Sequence, residues 1–313
     1  MTSGERWAAD QLEILRAARF TPRAWIRFLA ESFARAGETR RARPQLARQA
    51  RTWSAIGLLG GIGACRAASR ARLAAPPPAR FAVWWLATST IVDWHLGMVE
   101  GSNGERRERL SVADELTLLR LWLVPMLCAQ GDPRGRSGRV FSTLVLCAGA
   151  SDALDGALAR RVGPTRLGRD LDTLADALTV ASAARVARQA GWLPVGAARL
   201  ATVKATLPVA AVTCAYFRSA CRPAIEPSTT SRRLAPALLA GLAASPLYPR
   251  AAAMLTGTCA IASLALDRDA RSLKTLGPKF PSNRPQIVRS RDANTNGADR
   301  QHSPSAPAHR GGS

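Results

Sequence analysis

The stretch SDALDGALARRVGPTRLGRDLDTLAD, residues 151–176, carries four aspartates at helical spacing on either side of a short break. Asp152 and Asp155 stand three apart, and Gly156, Ala159 and Arg160 follow on the same helix face, where residues three and four apart are neighbours. Gly163, Pro164 and Gly168 interrupt the pattern, after which Asp172 and Asp176 stand four apart on one face of a second helix. Two helices can thus present all four carboxylates to one point. Carboxylates so placed repel each other and are expensive beside lipid. A divalent cation removes both problems: all-oxygen ligation selects Mg²⁺ or Mn²⁺ over zinc, and this set is large enough for two ions. Two such ions suit a pyrophosphate. Gly156 and Ala159 leave room for close approach of a ligand to the backbone, and Arg160 can pair with a phosphate. A solvated pair of charged helices bridged by neighbouring arginines would not need Gly and Ala between its acids.

Outward from this stretch the chain alternates apolar runs with arginine-rich connectors. The runs lie approximately at 115–130, 139–159, 171–197, 199–217, 234–247 and 251–266. Ala and Leu dominate them, and Gly and Pro fall mostly near their ends, so helices are expected. Several are shorter than the ~20 residues that a perpendicular helix needs to cross the hydrocarbon core. Upstream, residues 1–52 are basic and helix-permissive, with Trp7, Leu12, Trp25, Ile26 and Phe28 among the arginines, and they suit an amphipathic segment or a solvated helical cap. The apolar run at 53–64 is too short to span, whereas 81–99, interrupted by Asp93 and His95, is a better candidate. From Gly277 onward, Pro, Ser, Asn, Arg and Gly predict a disordered basic tail. The expected division is therefore an N-terminal helical extension over 1–105, a membrane domain over 106–270 and a tail over 271–313.

Charge points the same way. The 44 Lys and Arg against 22 Asp and Glu give a formal charge of +22, so partners should be anionic. With the start of the 115–130 helix in the cytoplasm, the arginines of 160–170, of 218–233 and of the tail are all inside, as the positive-inside rule asks. Arg134, Arg136 and Arg139 are the exception. The six cysteines show no CxxC spacing and read as free thiols, and three histidines leave little material for a His-ligated metal. No signal peptide opens the chain, because residues 1–20 lack an apolar core.

The run 151–176 resembles the signature of the class I CDP-alcohol phosphatidyltransferases, Asp-x2-Asp-Gly-x2-Ala-Arg followed by Gly-x3-Asp-x3-Asp. Asp152, Asp155, Gly156, Ala159, Arg160, Gly168, Asp172 and Asp176 occupy its specified positions. The spacer from Arg160 to Gly168 is one residue shorter than is usual in the family. The run ADELTLLRLWLVPML, residues 113–127, is similar to the family's first helix, with Asp114 where Asn is common. The resemblance covers about 110–266. It implies an all-α, integral membrane six-helix bundle, to which this chain adds an N-terminal helical region with one or two further hydrophobic segments. It also implies transfer of a phosphatidyl-type group from a CDP-linked lipid such as CDP-diacylglycerol to the hydroxyl of an acceptor alcohol, with release of CMP. By the same analogy Asp152, Asp155 and Asp172 bind metal, Asp176 deprotonates the acceptor and shares in metal binding, and Gly156, Ala159, Arg160 and Gly168 contact the CDP moiety. The expected location is a bacterial cytoplasmic membrane with the site facing the cytoplasm, and a homodimer fits the family.

A phosphorylated acceptor needs cations near the aspartates. Lys204, inside the next helix, is the candidate; the bland reading is a lysine snorkelling from a helix end. Arg185 and Arg188 project away from the Asp172/Asp176 face, and Arg188 lies about 18 Å from Asp176 along the axis, so snorkelling to the far interface suits them better. Two other classes compete. A nucleic-acid-binding protein would gather its cations on a soluble domain with interleaved aromatics, but here arginines punctuate apolar runs, so no nucleic-acid partner is expected. A noncatalytic membrane protein of the same fold would have a damaged aspartate set, and all four are present.

Overall fold

The computed structural model describes residues 3–101, 103–131, 138–219 and 229–272. The tail expected from Gly277, the loop residues Arg134 and Arg136, and Cys221 lie outside them. Ten α-helices follow one another: α1 (Ser3–Ala17), α2 (Pro22–Ala42), α3 (Pro44–Arg70), α4 (Pro78–Trp94), α5 (Val112–Ala129), α6 (Gly138–Val162), α7 (Arg166–Gln189), α8 (Val195–Ser219), α9 (Thr229–Ala244) and α10 (Pro249–Ser272). Among the described residues there is no β-strand, only one isolated bridge between Glu100 and Arg106. The all-α expectation holds, and the six expected segments of the membrane domain are α5 to α10.

Three of these helices are long and apolar enough to cross a membrane by length and composition: α6 over Gly138–Arg161, α8 over Val195–Arg218 and α10 over Pro249–Asp267. Only 6% of the most apolar 18 residues of α8 is buried within the protein, so this apolar surface needs another apolar environment. The other members fall short for physical reasons. Thr229–Ala244 is a short helix, while α5 carries Asp114, Glu115 and Arg120, and α7 carries aspartates and arginines along its length. These polar groups belong to the bundle interior and its ends, where charges within a membrane domain are tolerated.

Two apolar clusters hold the helices. One joins the helices from α5 to α10 through Leu127, Phe141, Ala183, Ala201, Leu242 and Ala260. The second fastens the N-terminal region to α5 and α7 through Leu46, Phe81, Trp85, Leu118 and Leu171. The apolar run at 53–64 is longer as a helix than as a hydrophobic stretch, since it is the middle of the 27-residue α3. Its flanks are rich in Ala, Arg and Gln, which favour helix without being apolar. The expected span 81–99 ends as a helix at Trp94. Gly57 and Gly61 let α4 pack directly on α3: a Cβ at either would overlap the Trp85 or the Phe81 ring. Indole donors stitch the contact, with Trp85 Nε1 donating to Ser54 O (2.8 Å) and Trp122 Nε1 of α5 to Gly57 O (2.8 Å).

Polar pairs complete the join. Glu115 of α5 accepts from Gln49 Nε2 (2.8 Å) and Trp53 Nε1 (2.7 Å) of α3. The buried Arg43 guanidinium, between α2 and α3, donates to the carbonyls of Leu96 (3.1 Å) and Val99 (3.0 Å). Asp93 pairs with Arg40 of α2, and His95 Nδ1 lies 2.7 Å from Ile91 O, so both are engaged in local structure. The five described cysteines are free thiols.

Candidate metal centre

The four aspartates come from two successive helices, Asp152 and Asp155 from α6 and Asp172 and Asp176 from α7. Helix α5 packs against both and inserts Arg120 between them. Arg120 is 1% exposed. Its Nη1 donates to Asp152 Oδ1 (3.1 Å) and Asp176 Oδ1, and its Nη2 to Asp172 Oδ1 (2.5 Å) and Asp155 Oδ2. One guanidinium against four carboxylates leaves the cluster strongly anionic. Guanidinium supplies this many donors in a planar fork, which a lysine could not.

The cluster has a floor and a mouth. Asp155, with 7% side-chain exposure, faces Arg120 and accepts from Thr117 Oγ1 (3.2 Å) one turn earlier on α5. The Asp172 and Asp176 side chains are 40% and 49% exposed. Oxygens of Asp152, Asp172 and Asp176 all lie within 4.8 Å of one another, a spacing one cation can bridge. Hard carboxylate donors on an open side suit a divalent cation that keeps some water or phosphate ligands.

Around the cluster, Gly156 is half-buried, and a Cβ there would meet only Arg160 Nη1, at 3.4 Å. The space beside it is open. Ala159 is half-buried and Arg160 exposed on the same helix. Gly168 is different. A Cβ at this position would overlap Asp114 Oδ1 and stand 2.9 Å from Thr165 Oγ1.

Asp114 is buried and spends both oxygens: Oδ2 accepts from Ser111 N (2.8 Å), closing a capping box at the start of α5, and Oδ1 accepts from Thr165 Oγ1 (2.6 Å). Thr165 Oγ1 accepts in turn from Gly168 N (2.8 Å) as the N-cap of α7. The two helix starts that frame the site are thereby tied together. Next to them, Arg166 N donates to Glu100 O (2.9 Å), joining α7 to the N-terminal region. Lys204 of α8 pairs with Asp267 of α10 at 2.5 Å, so its ammonium already has an acidic partner.

Sequence reasoning assigned no role to Arg120, Thr117 or Thr165. Arg120 does carry a signal: it is a charge in the middle of an apolar helix with no acid three or four positions away, so its partner has to come from another helix.

Residues 110–266, the stretch containing the four aspartates, Arg120, Asp114 and Thr165, match the sequence model of the CDP-alcohol phosphatidyltransferase family. The chain belongs to that family. No match was found among curated proteins or solved structures. As a CDP-alcohol phosphatidyltransferase with three apolar membrane-length helices, it is an integral membrane protein of phospholipid synthesis, acting on a CDP-alcohol and an acceptor alcohol. Members of the family use divalent metal ions, and the aspartate cluster fits such an ion.

Proposed function

We propose that the chain transfers a phosphatidyl-type group from CDP-diacylglycerol to the hydroxyl of an acceptor alcohol, releasing CMP. The observation that carries this reading is the convergence of Asp152, Asp155, Asp172 and Asp176 on one guanidinium, in a cluster exposed on the Asp172 and Asp176 side. These four would hold Mg²⁺ or Mn²⁺, as two ions, which neutralise the pyrophosphate and make its β-phosphorus more electrophilic.

The other steps fall to the chain's own groups. Asp176, the most exposed of the four, takes the proton of the acceptor hydroxyl. The freed oxygen forms a bond to the β-phosphorus as the bond to the CMP oxygen breaks, and CMP leaves with that electron pair. Gly156 and Ala159 leave room for the CDP moiety, Arg160 pairs with its phosphate, and Gly168 is proposed as a further contact of the CDP moiety. Lys204 is proposed as ligand of a phosphorylated acceptor, exchanging Asp267 for the phosphate. The domain is taken as 106–270, with 1–105 a helical extension. The arginine-rich loops at the aspartate end argue for a cytoplasm-facing site.

The test supplies purified protein with CDP-diacylglycerol and a panel of acceptors and measures CMP. Release that depends on the acceptor and is lost in Asp176→Asn is expected. No release with any acceptor, or undiminished release by the variant, overturns the proposal. Lys204→Met should raise KM for phosphorylated acceptors and leave KM for CDP-diacylglycerol unchanged.

A further inference from the structure

At the end of the bundle away from the aspartates, α7 and α8 enclose a groove of about 510 Å³. Three arginines line it, Arg185 and Arg188 from the last turns of α7 and Arg199 from the start of α8. None has an ion-pair partner among the described residues. Leu178 and Val203 also line it, and both lie farther from the α7–α8 turn. At 1.5 Å per residue, Leu178 is about 15 Å along α7 from Arg188. The groove is therefore cationic near the turn and apolar towards the middle of the helices. Arg188 is about 18 Å along the axis from Asp176, so the arginine end of the groove is separate from the metal centre.

Three like charges in one groove repel one another, and on this side of the membrane arginines are disfavoured. Snorkelling explains each arginine singly but not their convergence on one concave surface that continues into an apolar channel. A phosphodiester supplies the missing charge in a form that guanidinium groups bind well. An acyl chain suits the rest of the groove.

We propose that this groove binds an anionic phospholipid from the leaflet opposite the aspartates, with its phosphate on Arg185, Arg188 and Arg199 and an acyl chain along Leu178 and Val203. The site is independent of which acceptor the enzyme uses, and it does not require the enzyme to be active.

The experiment follows thermal unfolding of the full chain in detergent with added phosphatidylglycerol, phosphatidylcholine or inorganic phosphate. It compares wild type with R185Q/R188Q/R199Q and with a charge-matched control at three exposed arginines, R66Q/R70Q/R80Q. Phosphatidylglycerol should raise the wild-type midpoint by several degrees, phosphatidylcholine and phosphate should not, and most of the gain should vanish in the groove variant and persist in the control. Equal gains in wild type and groove variant, or equal losses in both triple variants, overturn the proposal, the latter by showing diffuse charge attraction. A full gain from inorganic phosphate alone also overturns it, assigning the arginines to a soluble anion. If the groove variant does not fold, Arg188→Gln alone is read in the same way, with half or more of the gain lost as the supporting result and none lost as the contrary one.

Discussion

Asp114 Oδ1 fills the space that a β-carbon on residue 168 would need. Gly168 is thus required by packing between the starts of α5 and α7, whereas Gly156 borders open space. The two glycines of the signature should respond differently to alanine. Gly168→Ala forces Asp114 and Thr165 apart and should cost about 1–3 kcal/mol, as overpacking does. Gly156→Ala should leave stability unchanged or raise it by about 0.5–1 kcal/mol through helix propensity, while lowering kcat/KM for the CDP substrate. Unfolding midpoints in detergent together with CMP release check both, and equal destabilisation by the two variants would contradict the assignment.

Asp114 stands where the family commonly has Asn, and its hydrogen bonds predict how it tolerates that residue. Both oxygens are acceptors, from Ser111 N and from Thr165 Oγ1. An Asn keeps one carbonyl for Ser111 N, and its amide can donate to Thr165 Oγ1 if that hydroxyl turns its proton elsewhere. Asp114→Asn should cost no more than about 1 kcal/mol, whereas Asp114→Ala leaves both donors unmatched and should cost about 2–4 kcal/mol. Thermal unfolding of the two variants distinguishes them, and equal costs would count against the network.

Arg120 is the cation that the four aspartates share. Its replacement by methionine leaves the buried Asp155 facing three other carboxylates, and removing one partner of a buried pair typically costs about 3–5 kcal/mol. Millimolar Mg²⁺ or Mn²⁺ should restore much of that loss, because cations that bind only the folded state stabilise it by mass action. In EDTA the Arg120→Met midpoint should fall far below wild type, and the gap should narrow with either metal. An unchanged midpoint in EDTA, or a gap indifferent to metal, would refute the charge-balancing role.

The aspartate pattern was legible because one helix period suffices to place Asp152 with Asp155 and Asp172 with Asp176. The order of α5 to α10 was legible because each is an apolar run bounded by charge or Gly and Pro. Arg120 was not assigned, since its partners are 32 to 56 residues away in sequence and only tertiary packing brings them together. Gly168 was read through its neighbours in the motif, yet the group it touches is Asp114 in another helix. The extent of α3 was hidden for a different reason. Hydropathy marks the 12-residue run at 53–64, but helix continues wherever propensity permits, through Arg, Gln and Ala before it and Arg and Ala after it.

That same helix supplies a test of how the N-terminal region is attached. A Cβ at Gly61 would overlap the Phe81 ring, while Gly60 and Gly63 have no neighbouring atom within 4 Å of theirs. Gly60→Ala and Gly63→Ala should each stabilise the protein by about 0.5–1 kcal/mol, the ordinary gain from replacing a helical glycine. Gly61→Ala should reverse that sign and cost about 1–3 kcal/mol. In a Phe81→Ala background the obstacle is gone, so Gly61→Ala should no longer destabilise, giving a coupling between the two sites of at least about 1 kcal/mol. Denaturant or thermal unfolding of the four members of the cycle measures it. Additive effects would mean that α4 does not rest on α3 at this glycine, and the join between the extension and α5 would then depend on Glu115 and its partners Gln49 and Trp53.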